Sequence, residues 1–118
     1  YGNTLPMCLN AAEKVTEELG KEIEVIDLRS LLPLDEETIL KSVEKTNRVL
    51  IVHEDKVFAG FGGEVSALIS DRAFKSLDAP VKRVGATFTP IGFNRILENA
   101  ILPDQQKIMD GMKEVLEF

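Results

Sequence analysis

The sequence predicts an α/β fold, a three-layer sandwich in which helices cover both faces of a mostly parallel β-sheet. Short β-forming runs alternate with amphipathic helical segments along the 118 residues, and such alternation favours parallel strands joined by helical crossovers. One run, Val49–Val52, is apolar at every position. That pattern is typical of a central parallel strand with helices on each side.

The N-terminal segment predicts a helix over residues 5–19, which Asn3 or Thr4 can cap and Gly20 can end. Its apolar residues recur at steps of three or four and therefore share one face: Leu5, Cys8, Leu9, Ala12, Val15 and Leu19. A helix in such a fold normally follows a strand. We therefore expect that a first strand before this helix is truncated or disordered.

Two further strands and a helix are predicted around the central run. Glu22–Leu28 is short and rich in β-forming residues, which predicts a strand. Asp35 is a suitable N-cap for a helix that ends near Asn47. Residues 81–84 predict a third strand, and its two central basic side chains indicate an edge position.

The C-terminal part predicts a loop over residues 85–93, a short helix over residues 94–100 and a final helix that Asp104 caps. The buried face of the final helix is predicted from its apolar spacing: Ile108, Met109, Met112, Val115 and Leu116. With this part included, helices and strands alternate through most of the sequence.

The stretch from Arg48 to Ser70 is the structural centre of the prediction. The apolar strand passes into the polar sequence His53-Glu54-Asp55, and the glycine-rich turn Gly60-Phe61-Gly62-Gly63 leads into a helix. The apolar face of that helix is predicted to contain Val65, Leu68, Ile69, Ala73 and Leu77. Sites in open α/β sheets lie outside the carboxyl ends of the strands, so His53, Glu54 and the glycine turn are the candidate site residues.

Two interpretations of these residues stay open from the sequence. In the first, His53 and Glu54 are a general acid/base or make a hydrogen-bonding contact to a ligand or a neighbouring chain. In the second, His53 is hydrogen-bonded locally at a strand end and the acidic side chains face water. The glycines match a dinucleotide-binding fingerprint poorly because Val65 stands where its third glycine is required. They otherwise allow a tight turn and close helix–strand packing.

Composition narrows the classes of function. The net charge of −6 argues against the basic surface that nucleic-acid binding requires, but it suits a basic protein partner. A single Cys8 and a single His53 exclude an internal disulfide and a cysteine or multi-histidine metal site, so Cys8 is predicted to be a small buried residue. No apolar run approaches the roughly 20 residues of a membrane span.

We expect residues 1–118 to form one domain, and a start at Tyr-Gly leads us to expect part of a longer chain.

Several motifs occur in the order of a known family. They are YG at 1–2, IDLRSLLPLD at 26–35, HE at 53–54, GFGGE at 60–64, LDAPVKRV at 77–84 and LP at 102–103. Together they resemble the C-terminal domain of the β subunit of 2-oxo acid dehydrogenase decarboxylating components, of the branched-chain 2-oxoisovalerate or pyruvate type. This is the transketolase C-terminal-like domain, and the resemblance covers essentially the whole chain.

The resemblance implies a parent enzyme that decarboxylates a 2-oxo acid and transfers the acyl group to a lipoyl arm. It implies thiamine diphosphate with Mg²⁺ bound outside this chain, so no catalytic, cofactor-binding or metal-binding residue is expected within it. The implied partners are a second β subunit, an α subunit or region, and the subunit-binding domain of the lipoyl acyltransferase. The implied compartment is the cytoplasm, or the mitochondrial matrix in a eukaryote.

Within that picture His53, Glu54 and the glycine turn Gly60-Phe61-Gly62-Gly63 are expected to shape a surface for other chains. Asp78 and the Phe118 carboxylate are expected to contact the docking partner. Two other functions stay open: a standalone small-ligand-binding domain that uses the same strand ends, and the matching domain of another thiamine enzyme such as deoxyxylulose phosphate synthase.

Overall fold

A computed structural model describes all 118 residues and contains five α-helices around a parallel two-stranded sheet. The elements are α1 (Leu5–Leu19), α2 (Glu36–Thr46), β1 (Leu50–Lys56), α3 (Phe61–Ala73), β2 (Lys82–Ala86), α4 (Arg95–Ile101) and α5 (Gln105–Glu117). Single 3₁₀ turns cover Gly2–Thr4 and Phe74–Ser76. The predicted α/β class is confirmed.

Local sequence signals set most helix ends. The Asp35 carboxylate accepts a hydrogen bond from the Thr38 N–H, and Asp104 accepts one from the Lys107 N–H, so both predicted caps are confirmed. Gly20 ends α1 in the left-handed conformation, with φ of 63°. Thr4 precedes α1 without a capping bond, because its hydroxyl donates to the Tyr1 carbonyl instead.

The sheet pairs β1 with β2 in parallel, with Leu50 opposite Lys82 and Val52 opposite Val84. Along β1, Ile51 packs into the core on the α2–α3 side and Val52 into the core on the α1–α5 side. Both faces of β1 are therefore covered by helices, as its continuous apolar sequence predicted. The second strand has one paired neighbour only, in agreement with its predicted edge position.

The core has one cluster on each side of the sheet. The first joins α1 and α5 through apolar residues such as Val15 and Ile108, which are both fully buried. The second joins α2 and α3 through Ile39, Val43 and Ile69. The result is the predicted helix–sheet–helix sandwich.

The prediction of a paired strand over Glu22–Leu28 was wrong. The segment is not helical, yet it belongs to no ladder, and its β-forming side chains pack against the first core cluster and the second. Sequence propensity reports how a segment fits a half-buried pleated surface. It does not report whether a hydrogen-bonding neighbour lies beside the segment.

Two element boundaries in the central segment and the buried face of α1 also differ from the predictions. The strand continues through His53, Glu54 and Asp55 to Lys56, which pairs with Ala86 of β2 after an irregularity in the ladder between Val52 and Lys56. Gly60 is the N-cap of α3, so Phe61, Gly62 and Gly63 lie in the first helical turn rather than before it. On α1, Ala11 is fully buried and Leu9 is half exposed, which rotates the buried face from the predicted one.

None of the helices combines the length and apolar character that a membrane-spanning helix requires.

Candidate functional site

His53 is fully buried in the middle of β1 and is held by one hydrogen bond. Its Nδ1 lies 3.0 Å from the carbonyl oxygen of Asp55, and because a carbonyl only accepts, Nδ1 carries the proton. The opposite ring nitrogen, Nε2, makes no hydrogen bond within the chain. The ring is therefore a neutral imidazole whose free acceptor points into packed protein.

Three glycines enclose the His53 ring. A Cβ at Gly62 would lie 2.5 Å from its Cδ2, and a Cβ at Gly85 would lie 2.7 Å from its Cε1. A Cβ at Gly60 would overlap the Lys56 carbonyl oxygen and approach the same ring. The glycines thus provide the close approach of α3 and β2 to a buried ring, and they leave no space for a ligand beside it.

Tyr1 closes the remaining side of the imidazole. Its ring stacks on His53 with centroids 5.2 Å apart and an angle of 7° between the planes. Its hydroxyl accepts a hydrogen bond from the Gly62 N–H at 3.1 Å, and its edge meets Phe61. Sequence reasoning had not assigned Tyr1 to this site, because a residue at the start of a chain carries no local signal of burial.

Burial lowers the pKa of His53 below its usual value, since the packed surroundings disfavour the imidazolium. The hydrogen bond to the Asp55 carbonyl and the Asp55 charge act in the opposite direction but are smaller. Desolvation also raises the pKa of the stacked Tyr1 phenol. The pair therefore stays uncharged at neutral pH, which suits a structural contact better than proton transfer.

An apolar patch surrounds the loops that follow the two strands. Phe58 comes two residues after β1 and Phe88 two residues after β2, and their exposed rings contact each other with centroids 4.7 Å apart. The Lys56 ammonium lies 5.4 Å from the centre of the Phe88 ring, within range of a cation–π interaction. We call this surface, with the exposed residues of the following loop and of α4, the apolar patch: Phe58, Phe88, Ile91, Phe93, Ile96 and Leu97.

The apolar patch was not predicted from the sequence. The run from Gly85 to Phe93 was expected to be a loop, and its two phenylalanines between glycine and proline were the available signal. Only the structure shows that Phe93 is completely exposed and that the Phe58 loop lies beside the Phe88 loop. An exposed apolar surface of this kind marks an interaction site more often than a lone exposed residue does.

The two predicted docking residues lie at the other end of the sheet. Asp78 is exposed, and its N–H donates to the carbonyl oxygen of Asn47 just before β1. Phe118, 72% exposed, follows α5, whose Val115 carbonyl accepts from Arg48 beside the same strand start. Both residues thus belong to the amino-terminal end of the strands, whereas Glu54 is exposed toward the carboxyl end.

A comparison with models of protein families identifies the family of this chain. Residues 1–108 match the model of the transketolase, C-terminal domain. The chain belongs to this family. The family predicted from the motif series is therefore confirmed.

Relatives of this transketolase C-terminal domain are β subunits of larger enzymes. It is 42% identical over 115 residues to the acetoin:2,6-dichlorophenolindophenol oxidoreductase subunit beta of Bacillus subtilis (strain 168), covering 98% of the chain and 33% of that protein. It is 43% identical over 118 residues to the pyruvate dehydrogenase E1 component subunit beta of Staphylococcus aureus (strain Mu50), covering all of the chain and 36% of that protein. The match to the corresponding subunit of Staphylococcus epidermidis is 42% over 118 residues, again all of the chain and 36% of the relative. The chain thus spans about a third of the length of these relatives.

The residues of this transketolase C-terminal domain do not fit a diphosphate bound through Mg²⁺. No three His, Cys, Asp or Glu side chains converge in a way that could hold a metal ion. A cavity of about 230 Å³ is lined mostly by apolar side chains and includes neither His53 nor the glycine turn. At the strand ends, the His53 ring is buried and the apolar patch is exposed. Both properties favour contact with another protein over binding of a charged cofactor.

Proposed function

We propose that this chain is an assembly and docking domain within the β subunit of a thiamine diphosphate-dependent 2-oxo acid dehydrogenase. The relatives support this proposal, since they are β subunits of a pyruvate dehydrogenase E1 component and of an acetoin oxidoreductase. In the parent enzyme, oxidative decarboxylation of a 2-oxo acid and acyl transfer to a lipoyl group take place outside this chain. The cofactor and Mg²⁺ are bound by other regions, including an α subunit or region.

One observation carries the assembly role, namely the apolar patch at the carboxyl ends of both strands. Its residues come from two separate pieces of chain, the Phe58 loop and residues 88–97, yet Phe58 and Phe88 already pack together and Phe93 is fully exposed. Burying such aromatic side chains against another subunit stabilises association through the apolar area removed from water. We assign a second β subunit as the chain that covers this patch.

Phe93→Ser is expected to weaken self-association by about tenfold or more, because it removes a fully exposed aromatic side chain from the apolar patch. Sedimentation velocity over a range of protein concentrations measures the change in Kd. Leu32→Ser is the matched control, since Leu32 is 94% exposed and lies outside the patch. Equal association constants for the two variants would contradict the assignment of the patch.

We assign the docking role to the opposite end of the sheet. Asp78 and Phe118 are both exposed there, and the chain carries a net charge of −6. A basic subunit-binding domain of a lipoyl acyltransferase complements this charge. The two ends of the sheet would then serve different partners, so that docking does not interfere with pairing of the β subunits.

Asp78→Asn and deletion of Phe118 are each expected to reduce the affinity for a basic subunit-binding domain by several-fold, and added salt should reduce the difference from the unaltered chain. Isothermal titration calorimetry at two ionic strengths measures both effects. Asp110→Asn, which removes a carboxylate from α5, is the control for a simple change in net charge. If all three variants bind alike, Asp78 and Phe118 have no specific part in docking.

A further inference from the structure

His53 is an unfavourable residue for the buried position that it occupies. Its ring is fully buried, yet its Nε2 has no hydrogen-bond partner within the chain. Buried polar atoms in folded proteins are nearly always paired, so an unpaired one requires an explanation. An apolar side chain would fill the same space without leaving a polar atom unpaired. What the imidazole adds at this position is the ability to take up a proton near neutral pH.

The two loops that carry the aromatic pair of the apolar patch both meet at this ring. A Cβ at Gly60, two residues after Phe58, would lie 3.3 Å from Cε1 of His53. A Cβ at Gly85, three residues before Phe88, would lie 2.7 Å from the same atom. The imidazole is therefore a shared wall for both loops, and its position determines how close the Phe58 and Phe88 rings come to each other.

The neutral and the protonated ring fit this enclosure differently. The neutral ring donates from Nδ1 to the Asp55 carbonyl, and this bond remains when a proton is added. Protonation adds an N–H at Nε2, where Gly62 is packed so closely that a Cβ on it would overlap the nitrogen. The imidazolium would be a buried charge with an unpaired donor, and both are unfavourable. The charged form therefore requires that the enclosure opens to water.

Tyr1 is the least firmly held wall of the enclosure. The other walls belong to the paired strands β1 and β2 and to the first turn of α3. Tyr1 is only partly buried, and its side chain is held by stacking on His53, an edge contact with Phe61 and one hydrogen bond from the Gly62 N–H. Movement of Tyr1 away from the ring breaks these contacts and gives water access to Nε2.

The charges around the ring set the direction of its pH dependence. The Asp55 carboxylate on the same strand favours the imidazolium, whereas the Tyr1 ammonium and Arg83 on β2 disfavour it. Glu64 is the acidic residue in the first turn of α3. Burial is the largest effect and lowers the pKa of His53, while a released ring has the usual value of about 6.5. Opening is thus linked to proton uptake, so the enclosure is closed at neutral pH and opens as the pH falls below about 6.5.

We propose that His53 is a proton-controlled latch for the apolar patch. The neutral ring keeps the Phe58 and Phe88 loops in contact, and uptake of one proton in mild acid releases Tyr1 and separates the two loops. The effect of the latch on assembly rests on the proposed function, in which the patch binds a second β subunit. Mild acid would weaken that contact without unfolding the helical layers, whose two core clusters contain neither His53 nor Tyr1.

The test follows the 118-residue chain by NMR from about pH 7.5 to about pH 5.5, a range above the titration of ordinary carboxylates. His53 is the only histidine, so its ring signals are unambiguous. We expect the ring to take up a proton and the contact between the Phe58 and Phe88 rings to be lost. We also expect the protection of the Gly62 amide against hydrogen exchange to fall by about tenfold. The far-UV circular dichroism of the helices should stay unchanged.

Two results with the unaltered chain would overturn the latch. One is a His53 ring that stays neutral at the lower pH, or that takes up a proton while the Phe58–Phe88 contact is kept. The other is equal protection of the Gly62 amide and the amide of Ile108, which is fully buried on α5. Equal protection would mean that the ring is released only when the whole chain unfolds.

His53→Asn is the control variant, because its amide can donate to the Asp55 carbonyl as Nδ1 does but cannot take up a proton in this pH range. The Phe58–Phe88 contact and the protection of Gly62 should not change with pH in this variant. Loss of the same contact in His53→Asn at the lower pH would show that another group controls it, and would overturn the proposal.

Self-association separates the latch from the proposed function. Sedimentation velocity should give a Kd about threefold or more weaker at the lower pH for the unaltered chain, and no such change for His53→Asn. Separation of the loops without any change in self-association would support the latch and contradict the assignment of the patch to assembly. Equal weakening in both chains would overturn control by His53.

Discussion

Gly62→Ala is expected to destabilise the fold by about 2 kcal/mol more than Gly63→Ala, although the two glycines are neighbours in the first turn of α3. A methyl group at position 62 would lie 2.5 Å from Cδ2 of the buried His53 ring, which cannot move because β2 and Tyr1 enclose it. At position 63 the nearest atom is Nη1 of Arg83, at 3.1 Å, at the end of a flexible side chain. Any gain in helix propensity from alanine is similar for both variants and cancels in the comparison.

Urea unfolding of the two variants measures this difference, and a double-mutant cycle with His53→Ala identifies its cause. Removing the imidazole creates space at the position that the new methyl group requires. The cost of Gly62→Ala should therefore largely disappear in the His53→Ala background, while the cost of Gly63→Ala stays the same. A cost that persists without the ring would show that the helix start, rather than the ring, requires glycine.

Much of the fold was predictable because its signals are local. The side chains of Asp35 and Asp104 cap the helices that their positions predicted, and Gly20 ends α1. The continuous apolar run of β1 predicted helices on both faces, since a strand with two apolar faces must be covered twice. Each of these predictions depends on residues within a few positions of the feature itself.

The features that escaped prediction depend on residues far apart in the chain. The glycines around His53 come from α3 and β2, and Tyr1 is more than 50 residues away from the ring on which it stacks. Glu22–Leu28 has the composition of a strand, but pairing requires a neighbour that composition does not specify. The apolar patch needed the contact between Phe58 and Phe88, and no spacing rule relates two loops.

Ile108→Ala is expected to reduce the free energy of unfolding by about 3 kcal/mol. The side chain of Ile108 is fully buried on α5, in the cluster where α5 meets α1 and Val52 of the sheet. Truncation removes apolar contacts and leaves a cavity, because helices held at several points along their length close only partly around the loss. Thermal and urea unfolding measure the change.

Ile96→Ala is the matched control, since it makes the same truncation at a helical residue that is 78% exposed in the apolar patch. Its effect on unfolding should stay within about 0.5 kcal/mol. If the patch binds a second subunit, Ile96→Ala should weaken self-association while the chain stays folded. Ile108→Ala should weaken self-association only to the extent that it unfolds the chain. The two variants thus distinguish an effect on stability from an effect on assembly. If Ile96→Ala reduced the free energy of unfolding as much as Ile108→Ala does, the patch would belong to the core rather than to an interface.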